Sequence, residues 1–187
     1  MLGRWEVGVP HEPSNAKTLD ELFDLLSPKI VRAMRAAHEA YARLGIRHAL
    51  VGGLAVGVHG RPRATKDVDF LVGREAFESS GIVISFRAGV PLSAEGVPID
   101  SVPPAVDSDV LEEALDAPME FDGLPIVRAE FLIYMKVLAA RRQDLADVVA
   151  VLARHPECAE PARGILERAL PEKLALLEEL VREAAAG

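Results

Sequence analysis

The sequence predicts an α/β (α+β) fold, a small mixed sheet flanked by helices with a C-terminal helical subdomain. Three observations predict it. Short β-rich runs, IRHALV (46–51), DVDFLV (67–72) and VPIDSV (97–102), are separated by glycine and proline breaks and by helical segments. From Ala129 onward the apolar residues recur at helical spacing instead. Half of the 187 residues are hydrophobic, enough for a sizeable core.

The elements are expected in this order. Residues 1–16 carry Gly, Pro, Asn and Ser without periodicity and read as a loose arm. A core of 17–128 follows. It begins with a helix over 17–26, where Leu19, Leu22, Phe23 and Leu26 share a face. Pro28 suits the first turn of a second helix, which Gly45 ends after Leu44. Strand 46–51 leads through Gly52-Gly53 into a short helix over 54–59. GRPRAT is a loop, and strands are expected at 67–72, 82–87 and 97–102. A short acidic helix fits 107–116, and FDGLPIVR (121–128) reads as a hairpin or strand. The helical subdomain, 129–187, holds a helix over 129–142 and a second over 144–154. Asp144 suits the N-cap of the second and Asp147 its exposed face, which is the favoured reading; the alternative is that the two orient Arg or Lys groups at a site. One or two helices follow.

The bulk numbers narrow the function. A net charge of −8 argues against non-specific DNA binding, which needs clustered Lys and Arg. A single cysteine, Cys158, forms no internal disulfide and fits a reducing compartment. With no long apolar run and no apolar leader core, no membrane association is expected, and the chain reads as cytoplasmic.

The chemistry concentrates in VGGLAVGVHGRPRATKDVDFLVG, residues 51–73. Asp67 and Asp69 stand at i and i+2 on a strand, so their carboxylates share a face. Two such charges repel unless a cation lies between them. Mg²⁺ takes oxygen ligands of this kind together with substrate phosphates. Asp100, within an apolar strand, is the candidate third carboxylate. Two ions would then flank a phosphoryl transfer. Asp-x-Asp also occurs at strand ends where it is merely solvated. Gly52-Gly53 lets a backbone approach a ligand and opens a helix whose free N–H groups suit an anion. A plain turn is the alternative. Arg61, Arg63 and Lys66 could meet phosphates, or form a solvated loop. Thr65 could cap the turn. His59 and Cys158 read as structural, and Trp5 as packing onto the domain or a partner.

Taken together, Gly-Gly, thirteen residues, Asp-x-Asp and a later strand Asp resemble the nucleotidyltransferases of the DNA polymerase β superfamily. GGLAVGVHGRPRATKDVDF is similar to a small bacterial branch containing the AbiEii-type toxins. KVLAARRQDLADVVAVL (136–152) resembles the Lys…Ala…Arg…Asp…Asp helix pair that follows the sheet there. The resemblance covers roughly residues 30–155. It implies a nucleotidyltransferase-like sheet and a Mg²⁺-dependent enzyme that moves a nucleoside monophosphate from an NTP to a hydroxyl. That acceptor would be an RNA 3′ end such as tRNA, a protein or a small molecule. Gly52, Gly53, Arg63, Lys66 and Lys136 would bind nucleotide. Asp67, Asp69 and Asp100 would hold two Mg²⁺ ions, with Asp100 as a base. Many relatives carry Gly-Ser at 52–53. A toxin–antitoxin setting, with an antitoxin partner, is implied in the same way. The alternatives are a non-catalytic module of this fold that binds nucleotide or a protein partner, and a helical adaptor, which leaves the acidic strand without a purpose.

Overall fold

The structure, a computed structural model, describes residues 27–60, 62–80, 83–104 and 109–187. The expected arm, the helix over 17–26, Trp5 and Arg61 lie outside these residues, as do the first two positions of the expected acidic helix.

Helix α1 (Pro28–Leu44) begins and ends as its sequence dictates. Ser27 Oγ accepts from the Lys29 N–H, Pro28 occupies the first turn, and Gly45 closes the helix at φ 66°. Glycine adopts that left-handed conformation at no steric cost. Ile30, Ala33, Met34, Ala37 and Tyr41 form the buried stripe. Strand β1 (His48–Leu50) leads into helix α2 (Gly52–His59), which is buried along almost its whole length. Strand β2 (Val68–Val72) follows the Arg63–Asp67 loop. Then come the ribbon β3 (Phe77–Ser80) and β4 (Val83–Phe86), and the strands β5 (Ser93–Ala94) and β6 (Val97–Val102). Helix α3 (Asp109–Asp116) precedes the hairpin β7 (Met119–Phe121) and β8 (Leu124–Ile126). Helices α4 (Ala129–Ala139), α5 (Arg142–Arg154), α6 (Ala159–Ala169) and α7 (Leu174–Ala186) complete the chain.

The expected small mixed sheet is present with six strands, in the order β5-β6-β2-β1-β8-β7. β2 runs antiparallel to β1 and parallel to β6, and β1 runs parallel to β8. Strand 82–87 resolves differently from its neighbours. Its β4 portion pairs only with β3, in a two-stranded ribbon apart from the main sheet. Val83 and Ile84 there are exposed.

Successive residues of a strand face opposite sides. Phe70 and Ser101 turn toward α1, where Tyr41 meets the Phe70 ring edge-on and its hydroxyl lies 2.7 Å from Ser101 Oγ. Asp69 and Asp100 therefore turn to the other side, toward α2 and α4. One buried core runs from Ile30 in α1 to Leu180 in α7, so the helical end shares its interior with the sheet. No helix among the described residues is long and apolar enough to cross a membrane.

Two sequence expectations about α4 and α5 are corrected. Helix α4 stops at Ala139 rather than 142, and Ala140 takes a left-handed conformation at φ 50°. Helix α5 thus starts earlier, with Arg141 at its N-cap, and Asp144 lies inside its first turn. Asp147 is not exposed: it is 3% accessible and Asp144 is 4%. Their burial has an electrostatic reason, which lies at the candidate site.

Candidate functional site

Asp69 and Asp100 are register partners on the parallel strands β2 and β6. Parallel neighbours lie about 4.8 Å apart and point their side chains the same way. Asp67 stands one residue ahead of β2 and joins them. Each of the three offers a carboxylate oxygen, and these oxygens lie within 4.8 Å of one another. Thr65 Oγ1 donates to Asp67 Oδ1 at 2.8 Å and so fixes that carboxylate. Asp67 and Asp69 are half-buried and Asp100 is exposed.

This crowding has a cost. Burial, and then the Asp67 and Asp100 charges, push the Asp69 carboxyl up to about 6, against the pull of Lys136 and Arg63. A carboxylate held among its like prefers a proton or a cation. Hard oxygen donors at this separation fit a divalent ion such as Mg²⁺.

Beneath the acidic cluster lies the N-terminus of α2. The Val51 N–H bonds the Asp69 carbonyl at 2.9 Å, which fixes the helix start against β2. Gly52 has φ 63°, and a Cβ there would lie 1.9 Å from Asp69 Oδ2. Only glycine fits on both counts. At Gly53 a Cβ would meet the Arg63 guanidinium at 3.1 Å, so the second glycine makes room for a cation. No side chain caps this helix, leaving its first N–H groups as the anion-facing end.

The opposite wall is cationic and is organised by α5. Lys136 Nζ donates to Asp144 Oδ1 at 2.8 Å and to Asp147 Oδ2 at 2.9 Å. Arg63 forks onto Asp147 through Nε at 3.1 Å and Nη2 at 3.2 Å. Arg141 Nε donates to Asp144 Oδ2 at 2.7 Å, and Gln143 Nε2 to Asp147 Oδ1 at 3.0 Å. Burial alone would raise the two aspartates. The hydrogen bonds from Lys136, with Arg141 at Asp144 and with Gln143 and Arg63 at Asp147, outweigh it and hold both carboxyls below the usual range. These contacts use two of the three Nζ protons of Lys136 and engage Arg63 through Nε and Nη2.

The two walls enclose a cleft of about 790 Å³. Of the residues singled out from sequence, Gly52, Gly53, Arg63, Asp67, Asp69, Asp100 and Lys136 all line it. Lys66 does not: it is exposed on the approach to β2. Sequence reasoning favours cap and exposed-face roles for Asp144 and Asp147 over the orienting role they take here, and it does not single out Arg141 or Gln143. The available signal was Lys136 itself. A lysine inside the apolar run AEFLIYMKVLA needs a carboxylate partner. His59 is buried, with Nε2 donating to the Val127 carbonyl at 2.7 Å, as a structural histidine would. Burial pushes the Cys158 thiol up to about 12, which makes it a poor nucleophile.

No protein-family model and no curated protein matches the chain. Among solved structures, the chain is similar to an antigenic nucleotidyltransferase-like protein from Paracoccidioides brasiliensis. The match has 15% identity over 89% of this chain and 95% of that one, with a TM-score of 0.41. That likeness is too distant to carry an argument about chemistry, and the functional reading rests on the cleft.

Proposed function

We propose that the cleft binds a nucleoside triphosphate with Mg²⁺ and transfers its nucleotidyl group to a hydroxyl, releasing pyrophosphate. One observation carries this reading. A three-carboxylate cluster stands opposite a row of cations, with an uncapped glycine-opened helix N-terminus between them. Five carboxylates, Asp67, Asp69, Asp100, Asp144 and Asp147, face three cations, Arg63, Lys136 and Arg141. A bare polyanion would be repelled by that net negative balance, whereas a triphosphate that brings two divalent cations adds no further negative charge.

Asp67, Asp69 and Asp100 would hold the metal, which when bound supplies positive charge to the phosphates and to the developing charge of the transfer. The remaining work falls to groups already in place. The first N–H groups of α2 meet phosphate oxygens without reorganisation. Arg63 and Lys136, locked by Asp144 and Asp147, offer charge-assisted donors that are oriented before the ligand arrives. Arg141, 79% exposed in its side chain, stands at the rim, where the leaving pyrophosphate would depart. Asp100 is the exposed member of the acidic cluster, and the acceptor reaches it first. It is therefore assigned as the group that takes the hydroxyl proton. Positioning and charge stabilisation account for the catalysis.

The motif resemblance extends this proposal to its finer points. The acceptor is an RNA 3′ end, a protein or a small molecule, and the setting is that of a toxin with an antitoxin. The test is calorimetric titration of NTPs into the wild type and Asp67→Ala/Asp69→Ala, with and without Mg²⁺, followed by incubation with labelled NTP and candidate acceptors. Mg²⁺-dependent binding lost in the double variant, with label moving to an acceptor, supports the reading. Tight NTP binding in the wild type without label transfer to any acceptor class favours the non-catalytic module.

A further inference from the structure

The cleft has a third wall that takes no part in the chemistry above. Helix α4 presents Leu132, Met135 and Leu138 to it, at three-residue intervals, and the end of β6 adds Val102 and Pro103. The three α4 side chains grade from depth to rim: Leu132 is buried, Met135 half-buried and Leu138 47% exposed. A leucine so exposed at the mouth of a polar cleft has surface to offer a ligand. Among the described residues, the polar side chains of the cleft all belong to the acidic cluster, the cationic wall or the loop between them. These five side chains bring neither a hydrogen-bond donor nor an acceptor other than the weak thioether of Met135.

Given nucleotide binding as proposed above, on which this step rests, we infer that the nucleobase packs on the Met135–Leu138 edge of α4 and is held by apolar contact alone. The site then recognises the triphosphate and any flat base, and does not discriminate among the four. Discrimination between bases of similar size requires hydrogen-bonding groups that are left unsatisfied by the wrong partner. An aliphatic wall has none, whereas every base has an apolar face. Lys136, one residue from Met135, fixes the phosphate end of the same ligand on the same helix.

The experiment titrates ATP, GTP, CTP, UTP and inorganic tripolyphosphate, each with Mg²⁺, into the wild type and Leu138→Ala. Leu138 is 47% exposed and has no polar atom in its side chain, so its truncation is expected to leave the fold and the ion network intact. The four NTPs are expected to bind within about fivefold of one another and all more tightly than tripolyphosphate. Leu138→Ala should weaken all four by a common factor of about three to ten and leave tripolyphosphate unchanged. One NTP preferred by about twentyfold or more overturns the inference while leaving the proposed function standing. NTPs no tighter than tripolyphosphate, or unaffected by Leu138→Ala, would assign the apolar wall to the acceptor and overturn it as well. Failure of every NTP and of tripolyphosphate to bind overturns the nucleotide reading and this inference with it.

Discussion

Gly52 and Asp69 contend for one volume: a Cβ on residue 52 would lie 1.9 Å from Oδ2 of Asp69, on a backbone already at φ 63°. Gly52→Ala therefore strains the turn and displaces a carboxylate of the acidic cluster. The expected result is a stability loss of about 2 kcal/mol, from the left-handed backbone and the clash together. Mg²⁺-dependent NTP binding should vanish even at temperatures where the variant is folded. Chemical denaturation and calorimetry on the same sample separate the two effects. Wild-type affinity in folded Gly52→Ala would show that the cradle is dispensable.

Gly53 makes the contrasting case. Its backbone is not left-handed, and the nearest atoms an added Cβ meets are at the far end of the Arg63 side chain. Gly53→Ser, the residue many relatives of the resembled branch carry, should cost less than about 1 kcal/mol. It should keep or improve NTP affinity, because the hydroxyl adds a donor beside the helix N-terminus. A strong loss of affinity would mean that Arg63 must occupy its present position without any displacement.

The Asp69 carboxyl, pushed up to about 6 in the folded protein from an ordinary 3.8, sets a pH dependence. A raised carboxyl binds its proton more tightly when folded. Its stabilising contribution is complete below the unfolded value and is lost as pH rises through about 6. Asp69→Asn, which cannot ionise, should thus be more stable than wild type above about pH 7, by roughly 1–2 kcal/mol after allowance for solvent screening, and nearly equal to it near pH 4. Thermal unfolding across that range without metal measures this. Added Mg²⁺ should raise the wild-type Tm near pH 8 and far less near pH 5, where the proton competes for the same oxygen. A variant less stable than wild type at high pH would contradict the crowding argument.

Asp147 receives Lys136, Arg63 and Gln143 at once while almost wholly buried. Asp147→Ala leaves Lys136 with Asp144 alone and frees Arg63. A loss of about 3 kcal/mol is expected, at the lower end of what breaking a buried pair costs because one partner survives. Because Asp144 and Asp147 are depressed, their stabilising contribution is present above the ordinary carboxylate range and is lost as pH falls through their folded values. The wild type should therefore lose stability in acid more steeply than Asp147→Ala does, which acid titrations of the two unfolding curves would show.

Cys158 is buried and its thiol is pushed up to about 12. Thiol-specific aromatic disulfides should leave it untouched in the native protein and label it at once in denaturant. Rapid native labelling would mean that the α6 end opens readily.

The acidic half of the site was legible because its logic is local. A glycine pair after a strand, and carboxylates on strands whose apolar neighbours show which face is which, need only strand periodicity to be placed. In the cationic half Arg63 and Lys136 were legible, but the carboxylates that hold them were not. Asp144 and Asp147 carry ordinary helix-surface residue types, and their burial follows from Lys136 on the neighbouring helix and Arg63 on a distant loop. Their fit as cap and solvated face was locally sound, and a tertiary ion network overrode it. The end of α4 was missed for a related reason. Ala140 adopts a left-handed backbone that its residue type gives no hint of, and that turn delivers Arg141 to Asp144. Strand β4 was read, but β3, the two-residue β5 and the separation of the β3–β4 ribbon from the main sheet have too little pattern to be read.

Arg63 and Asp147 are 84 residues apart in the chain. At a synthesis rate of about 5–20 residues per second, roughly 4–17 s separate their emergence from a ribosome. During that interval the acidic cluster exists as sequence without the helix that orients its cations, and closing so long a loop is among the slower steps of folding. Under the proposed function, a nascent chain of this protein would not hold nucleotide until its helical end has been made and packed.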